Sequence, residues 1–348
     1  MRLPDLPRHV KWFTDFSFAD EPRTFTEIMT PTTLVLATAT AIALVGLVLI
    51  DDRLDQTSRY RRFSEWLSSY QQNGPTIVRL ATSAVLIVSW ENRVLLAPEL
   101  GETQAWYGWF QLVVAIALLV PRASRVAGAG VALLWLIAVV IHGAFHMLDY
   151  LHYVGIGIYV ATAGDERPER QGIGIPALYL TVGFSLIWAG FEKLTYPGWS
   201  LVVLDDNPQL AFGLPPEFFV SGAAFVEIAL GFLLIIGLLE RPLAALVTVV
   251  FIGSTLVFGR VEIVGHTPIH AALAVFVMAG PGSVYRAPIN FHERLAWRGA
   301  FTAVNFVLAI VVFAAAYTAA ARAQFHEHED LAIGTPFDAP AALRSPDH

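Results

Sequence analysis

Cysteine is absent from all 348 residues. The chain therefore forms no disulfide, offers no thiolate to a metal and carries no thiol relay of its own. Charge is scarce as well: 15% of residues are charged and the formal net charge is −7, which gives no case for a nucleic-acid partner. There is no P-loop, dinucleotide-binding glycine motif, nucleophile elbow or HExxH zinc signature, and the glycines around Gly213 read as turn residues. The N-terminal stretch is polar and aromatic, with Pro4, Pro7, Pro22 and Pro31. It lacks the short basic region and apolar core of a secretory signal, so insertion is expected to use the first membrane helix.

Apolar residues fill the place of the missing charge. They make up 55% of the chain, and the mean hydropathy is +0.57. Several runs reach about 18 residues or more, enough to cross a hydrocarbon core of about 30 Å. They are helix-like in length, unlike the alternating strands of about ten residues that build a membrane barrel. The expected fold class is all-α: a polytopic membrane helical bundle of about ten transmembrane helices, with the lipid bilayer as its first partner.

Taken in order, residues 1–31 read as a polar tail. Residues 32–75 hold the first membrane helix (32–50) and an interfacial segment. In that segment Leu54, Tyr60, Phe63, Trp66, Leu67 and Tyr70 recur at helical spacing among Arg53, Arg59, Arg61 and Arg62, the pattern of an amphipathic helix lying on a membrane face. Further spans are expected at 76–96, 106–120, 125–146, 150–163, 175–194, 218–239, 242–258, 268–279 and 300–321. The final helix occupies 299–322, and the acidic stretch 323–348 reads as disordered. Counted after the first helix, the odd-numbered loops carry most of the arginines, among them Arg122, Arg125, Arg241, Arg294 and Arg298. The positive-inside rule makes these loops cytoplasmic and puts both termini outside. Arg2, Arg8, Lys11 and Arg23 in the N-terminal tail argue the other way.

Residues 76–164 resemble a worn copy of 175–280. Each has four apolar helices with a longer polar loop after the first. Gln111 sits in its apolar run much as Glu227 sits in its own. Arg125 follows Gln111 by fourteen residues, and Arg241 follows Glu227 by fourteen. Asp149 and Thr267 read as N-caps of the two fourth helices, each with a histidine (His152, His270) three residues on. Ligand sites in membrane repeats often lie where the copies meet; the bland reading is that apolar helices align by composition.

Ionisable groups inside apolar runs are costly and so mark candidate sites. Glu227 lies about nine residues inside its helix; it is expected to face the bundle and to be protonated or paired with a cation. Glu192 ends the preceding span. His266 and His270 are spaced i, i+4, as are His142 and His146. Together with His152 these histidines sit toward one membrane level, where they are candidate ligands for a metal or haem, or hydrogen-bond partners for a quinone. The alternative is that polar residues gather at interfaces. Trp199, in a long aromatic and proline-rich loop, reads either as part of a lid over a flat apolar ligand or as part of an interfacial aromatic belt. His326 and His328 in an acidic run read as solvated.

The AGFEKL end of the 175–194 helix, with Gly190, Glu192 and Lys193, and the run FVEIALGFLLIIGLLERPLAAL, with Glu227, Gly231, Gly237 and Arg241, resemble the DoxX family. The resemblance covers roughly 175–280. The first unit departs from it, with Gln111 in place of the acid and Trp90, Glu91, Asn92 and Arg93 where the AGFEK turn would stand. The resemblance implies a four-helix membrane module, here two DoxX-like repeats plus flanking helices, in a prokaryotic cell membrane. It also implies a link to quinone-coupled oxidation of sulfur compounds or to assembly of extracytoplasmic redox enzymes. Without cysteine, no sulfur compound is held covalently on this chain. The expectation is a quinone-linked redox subunit with an outward-facing Glu/His cavity. Glu227 and Glu192 would be its catalytic acids, with Glu227 as proton acceptor. His266, His270, His152 and Trp199 would bind the cofactor, and His142, His146, His266 and His270 would be the metal set. The alternatives are a non-enzymatic scaffold for an extracytoplasmic redox protein and a proton-coupled transporter.

Overall fold

The computed structural model describes residues 20–163, 165, 168–280, 285 and 287–334. Among these residues the secondary structure is helical throughout, apart from an isolated bridge between Val94 and Gly101. Thr24 caps a single turn, α1 (Phe25–Ile28), with a capping box to Glu27. Thr30 then caps α2 (Pro31–Gln56), which has Pro31 at its first position, where the missing N–H costs nothing. Six helices are long and apolar enough to cross a membrane: Pro31–Gln56, Pro121–His142, Gly172–Thr195, Pro216–Ile236, Val261–Ala279 and Leu295–His326. Ala105–Leu119 is a shorter apolar helix. The protein is thus an all-helical, multi-pass membrane protein, with fewer qualifying spans than the ten expected.

Element boundaries also differ from the expected ones, for local reasons. The expected span at 125–146 breaks at Gly143, whose φ of +85° only glycine adopts at ease. It ends α6 (Ser124–His142) and starts the short α7 (Ala144–Met147). A 3₁₀ turn at Leu148–Tyr150 follows, and then α8 (His152–Thr162), which at 11 residues is about 17 Å long. Asp149 lies in that 3₁₀ turn, so Leu151 and not Asp149 precedes α8. Likewise α13 (Arg260–Ala279) starts at Gly259 and runs through Pro268. Thr267 is inside it, its hydroxyl bonded back to the Ile263 carbonyl. The last helix, α14 (Leu295–Gly334), continues well past Ala321, because nothing before Gly334 and Pro336 interrupts a helix-tolerant sequence. Residues 335–348 of the expected tail lie outside the described residues, as do residues 1–19 of the N-terminal one.

The remaining elements are α3 (Ser58–Ser68), α4 (Gly74–Glu91), α5 (Ala105–Leu119), α9 (Pro168–Thr195), α10 (Pro197–Asp206), α11 (Pro216–Ile236) and α12 (Glu240–Phe258). Helix ends gather at two faces. At one face, Arg241 opens α12. It donates to the Ser64 carbonyl and to Ser68 Oγ (2.6 Å) of α3, and to the Met278 and Ala279 carbonyls (both 3.1 Å) at the end of α13. Asp51 of α2 accepts from Arg298 (2.6 Å) and from the Leu239 amide (3.1 Å) at the same face. At the opposite face, the Arg23 amide donates to the Thr195 carbonyl (3.1 Å).

The long helix α9 runs through the centre, packed on α8 and α11. Its approach to α11 rests on a glycine pair: a Cβ on Gly183 would stand 2.7 Å from the Gly231 carbonyl. Small residues of this kind let membrane helices meet backbone to backbone. α13 packs on α4, and α2 and α14 pack on each other at the periphery. Leu34, Val35 and Ile42 of α2 and Val304, Val307 and Val312 of α14 are left exposed, as befits surfaces whose solvent is lipid.

Candidate functional site

At the face opposite Arg241, the packed helices leave a partly open cavity. α9 contributes Ser185, Leu186, Ala189 and Glu192, whose spacing of roughly one and two turns puts them on one helix face. α11 contributes Glu227, α12 contributes Phe251, and α13 contributes Gly265, His266 and Ile269. Asp149 and Tyr150 close it from the turn before α8, and His152 from the first position of α8. The wall is mainly apolar, with a few convergent polar groups, the ordinary make-up of a ligand site.

The polar groups are arranged in pairs. Lys193, next to Glu192 on α9, reaches across to α11 and places Nζ 2.7 Å from Glu227 Oε2. Both side chains are largely buried, so the pair neutralises charges that lipid or a dry cavity would not tolerate singly. Glu227 was expected either protonated or paired with a cation, and one of its carboxylate oxygens is paired with the Lys193 ammonium. On α13, Glu262 and His266 pair at i, i+4 through His266 Nδ1. The far side of the His266 ring stacks on Phe251, with centroids 4.3 Å apart and planes 12° from parallel. His152 is 2% exposed, its backbone amide donates to Ser185 Oγ (3.2 Å), and neither of its ring nitrogens has a side-chain hydrogen-bond partner. A buried imidazole facing a cavity in that condition invites a ligand group or water.

The structure therefore brings together Glu192, Glu227, His152 and His266, and leaves out the other candidates. Trp199 is buried in α10, stacked on Tyr196 (4.2 Å) and donating to Asp20 Oδ2 (2.8 Å); it fastens the N-terminal segment and does not line the cavity. His270 lies one turn beyond His266, edge-on to Phe251 at 5.9 Å. His142 and His146 do not share a helix, because Gly143 separates them. Their rings lie 6.3 Å apart, and His146 faces Glu99 at 3.6 Å. The four histidines proposed as a metal set thus divide between two places. Among the described residues no group of three or more His, Asp or Glu side chains is placed to hold a metal ion. His326 is exposed, and the side chain of His328 lies outside the description.

Lys193, Ser185, Tyr150, Phe251 and Glu99 are the residues that sequence spacing did not bring to the site. Lys193 is adjacent to Glu192, and neighbours on a helix point apart, so its partner had to come from another helix. Glu99 is carried by the loop between α4 and α5, where no periodicity indicates direction.

Residues 177–260 match the family model described as DoxX. No curated protein matches the chain, and no solved structure matches it. The matched stretch supplies the α9, α11 and α12 walls of the cavity. His266, Asp149, Tyr150 and His152 come from outside it.

Proposed function

We propose, for a membrane protein whose residues 177–260 match the DoxX family model, that the cavity binds the head group of a quinone or quinol and that the protein is a quinone-linked redox subunit. The observation that carries this reading is the flat aromatic plate of Phe251 against His266 together with the buried imidazole of His152 in the lining of the same cavity. A quinone or quinol head is flat and apolar and carries two oxygens; it suits a plate and a positioned imidazole. Glu192 and the Glu227–Lys193 pair supply the charged rim. Incubating the purified protein with a short-chain ubiquinone should quench tryptophan fluorescence saturably, since Trp188 packs beside the cavity helix face. His152→Ala should weaken that binding by about tenfold, the worth of one hydrogen bond to a buried partner. A wild-type protein that shows no saturable binding would return the scaffold reading.

In the same reading, 76–164 and 175–280 are two copies of one unit. Three correspondences support it. The first helix of one unit packs on the last of the other in both senses, α4 on α13 and α9 on α8. Arg125 and Arg241, each at the start of a third helix, both bond at the end of the fourth: Arg125 to Asp165 (3.3 Å) and Arg241 to the Met278 and Ala279 carbonyls. Gln111 and Glu227 both link the second helix back to the first, Gln111 by donating to the Leu86 carbonyl (3.1 Å). The cavity then lies at the junction of the copies, and the arginine-bearing face is cytoplasmic.

A further inference from the structure

A second set of buried titratable groups begins where the cavity wall ends. Tyr150 lines the cavity, and its phenol donates a hydrogen bond to Glu99 Oε1. The Glu99 side chain is 1% exposed, and the same oxygen lies 3.6 Å from His146 Nε2. The His142 ring follows at 6.3 Å from that of His146, and His142 is only half-buried at the end of α6. The groups thus form a row from the cavity toward the face at which it lies.

The row is assembled from separate elements, and the loop that brings Glu99 into it is firmly held. Gln111 on α5 accepts from the Leu96 amide (2.9 Å) and donates to the Leu86 and Val94 carbonyls (3.1 and 3.0 Å). Tyr153 donates to the Leu96 carbonyl (2.7 Å). Arg93 and Leu96 are held at positive φ, a conformation a side chain adopts only where its surroundings fix it. Leu95, Leu96 and Leu100 are fully buried. A surface loop needs none of this; a loop that must present one carboxylate inside the bundle does.

We propose that Glu99 is the internal proton acceptor of the cavity, loaded through Tyr150 and discharged through His146 and His142. The inference rests on the quinone reading for its ligand. In the loading step the Tyr150 hydroxyl proton moves to Glu99 Oε1, and a hydroxyl proton of the bound quinol moves to Tyr150 Oη. Tyr150 ends neutral, Glu99 ends as a carboxylic acid, and the ligand has lost one proton and one electron, the electron passing to an external one-electron acceptor. Glu99 then passes its proton to His146 Nε2, and it leaves by His142 to water. The titratable groups facing Glu99 are His142 from α6, His146 from α7, Tyr150 from the 3₁₀ turn and Tyr153 from α8, whose hydroxyl is committed to Leu96.

Glu99→Gln separates relay from scaffold, because an amide oxygen still accepts the Tyr150 bond but takes no proton; Tyr150→Phe, which removes one hydroxyl, is the second variant. Infrared difference spectra of the ligand-free, full-length protein, titrated between about pH 5 and 9, read the carboxyl directly. The wild type should show a titrating carboxyl band that is absent in Glu99→Gln and displaced in Tyr150→Phe. With short-chain ubiquinol, and ferricyanide as the one-electron acceptor, Glu99→Gln should bind as the wild type does, while proton release to a pH dye slows by about a hundredfold. An unchanged band in Glu99→Gln, or wild-type proton release in both variants, would overturn the relay. If the wild type binds no quinol, the functional reading falls, and the ligand-free titration still decides whether Glu99 exchanges protons.

Discussion

A lysine ammonium and a glutamate carboxylate inside a membrane bundle stabilise each other only as a pair. Removing one partner leaves the other charged and buried, and such a loss costs about 3–5 kcal/mol, whereas replacing both with apolar groups is often neutral. Lys193→Met should therefore lower the thermal unfolding temperature in detergent sharply. Lys193→Met combined with Glu227→Leu should recover most of the loss, and a double variant as unstable as the single one would remove the pair from the account. Gln111 makes the complementary case. Its amide both accepts and donates to backbone groups of the Glu99 loop, which a carboxylate cannot do while ionised. Gln111→Leu strands a buried amide and two carbonyls and should cost about 2–3 kcal/mol, read by the same unfolding assay. At this scale much of the site was legible: buried acids and histidines in apolar runs are costly enough to be conspicuous in a sequence. Their partners were not, since the Lys193–Glu227 bond joins residues 34 positions apart and depends on how α9 faces α11.

Among the elements, boundaries moved where a single residue decided them. Gly143 cut an expected span in two and put His142 and His146 on different helices. Pro268 was read as a helix start and lies inside α13, because neighbouring helices supply the packing that lets a membrane helix carry a proline. The amphipathic α3 matched its sequence pattern: Phe63, Trp66 and Tyr70 form an exposed aromatic row (5.7 and 5.3 Å between centroids), while Ser64 and Ser68 turn inward to Arg241. Arg241→Met removes these two ties of α3 and leaves the Met278 and Ala279 carbonyls without the same donor. Hydrogen exchange should then rise in residues 58–68 and at the end of α13 but not in α9; protection unchanged in α3 would show that lipid contacts alone hold it. Gly183→Leu should prevent close packing of α9 on α11 and cost about 3 kcal/mol or more.

For the whole molecule, apolar content and helix-length runs were enough to give an all-helical membrane protein. The number of spans was less legible, because an apolar run such as 150–163 reads as a span while the helix it forms, α8, has 11 residues. Orientation can be tested directly, since the chain has no native cysteine. Single cysteines at Arg61 and at Gln209, in otherwise wild-type protein, should label from opposite sides of sealed vesicles, with position 61 reached from the cytoplasmic side. Labelling from the same side would contradict the two-faced arrangement on which the outward cavity depends. That cavity is the central claim. Its most direct test is to purify the full chain in native lipid, quantify co-purified quinone, and titrate the quinone-stripped protein with short-chain ubiquinone beside His152→Ala. The account predicts saturable binding of about one quinone per chain, weakened in the variant. The absence of saturable binding, or equal binding by both proteins, would contradict it.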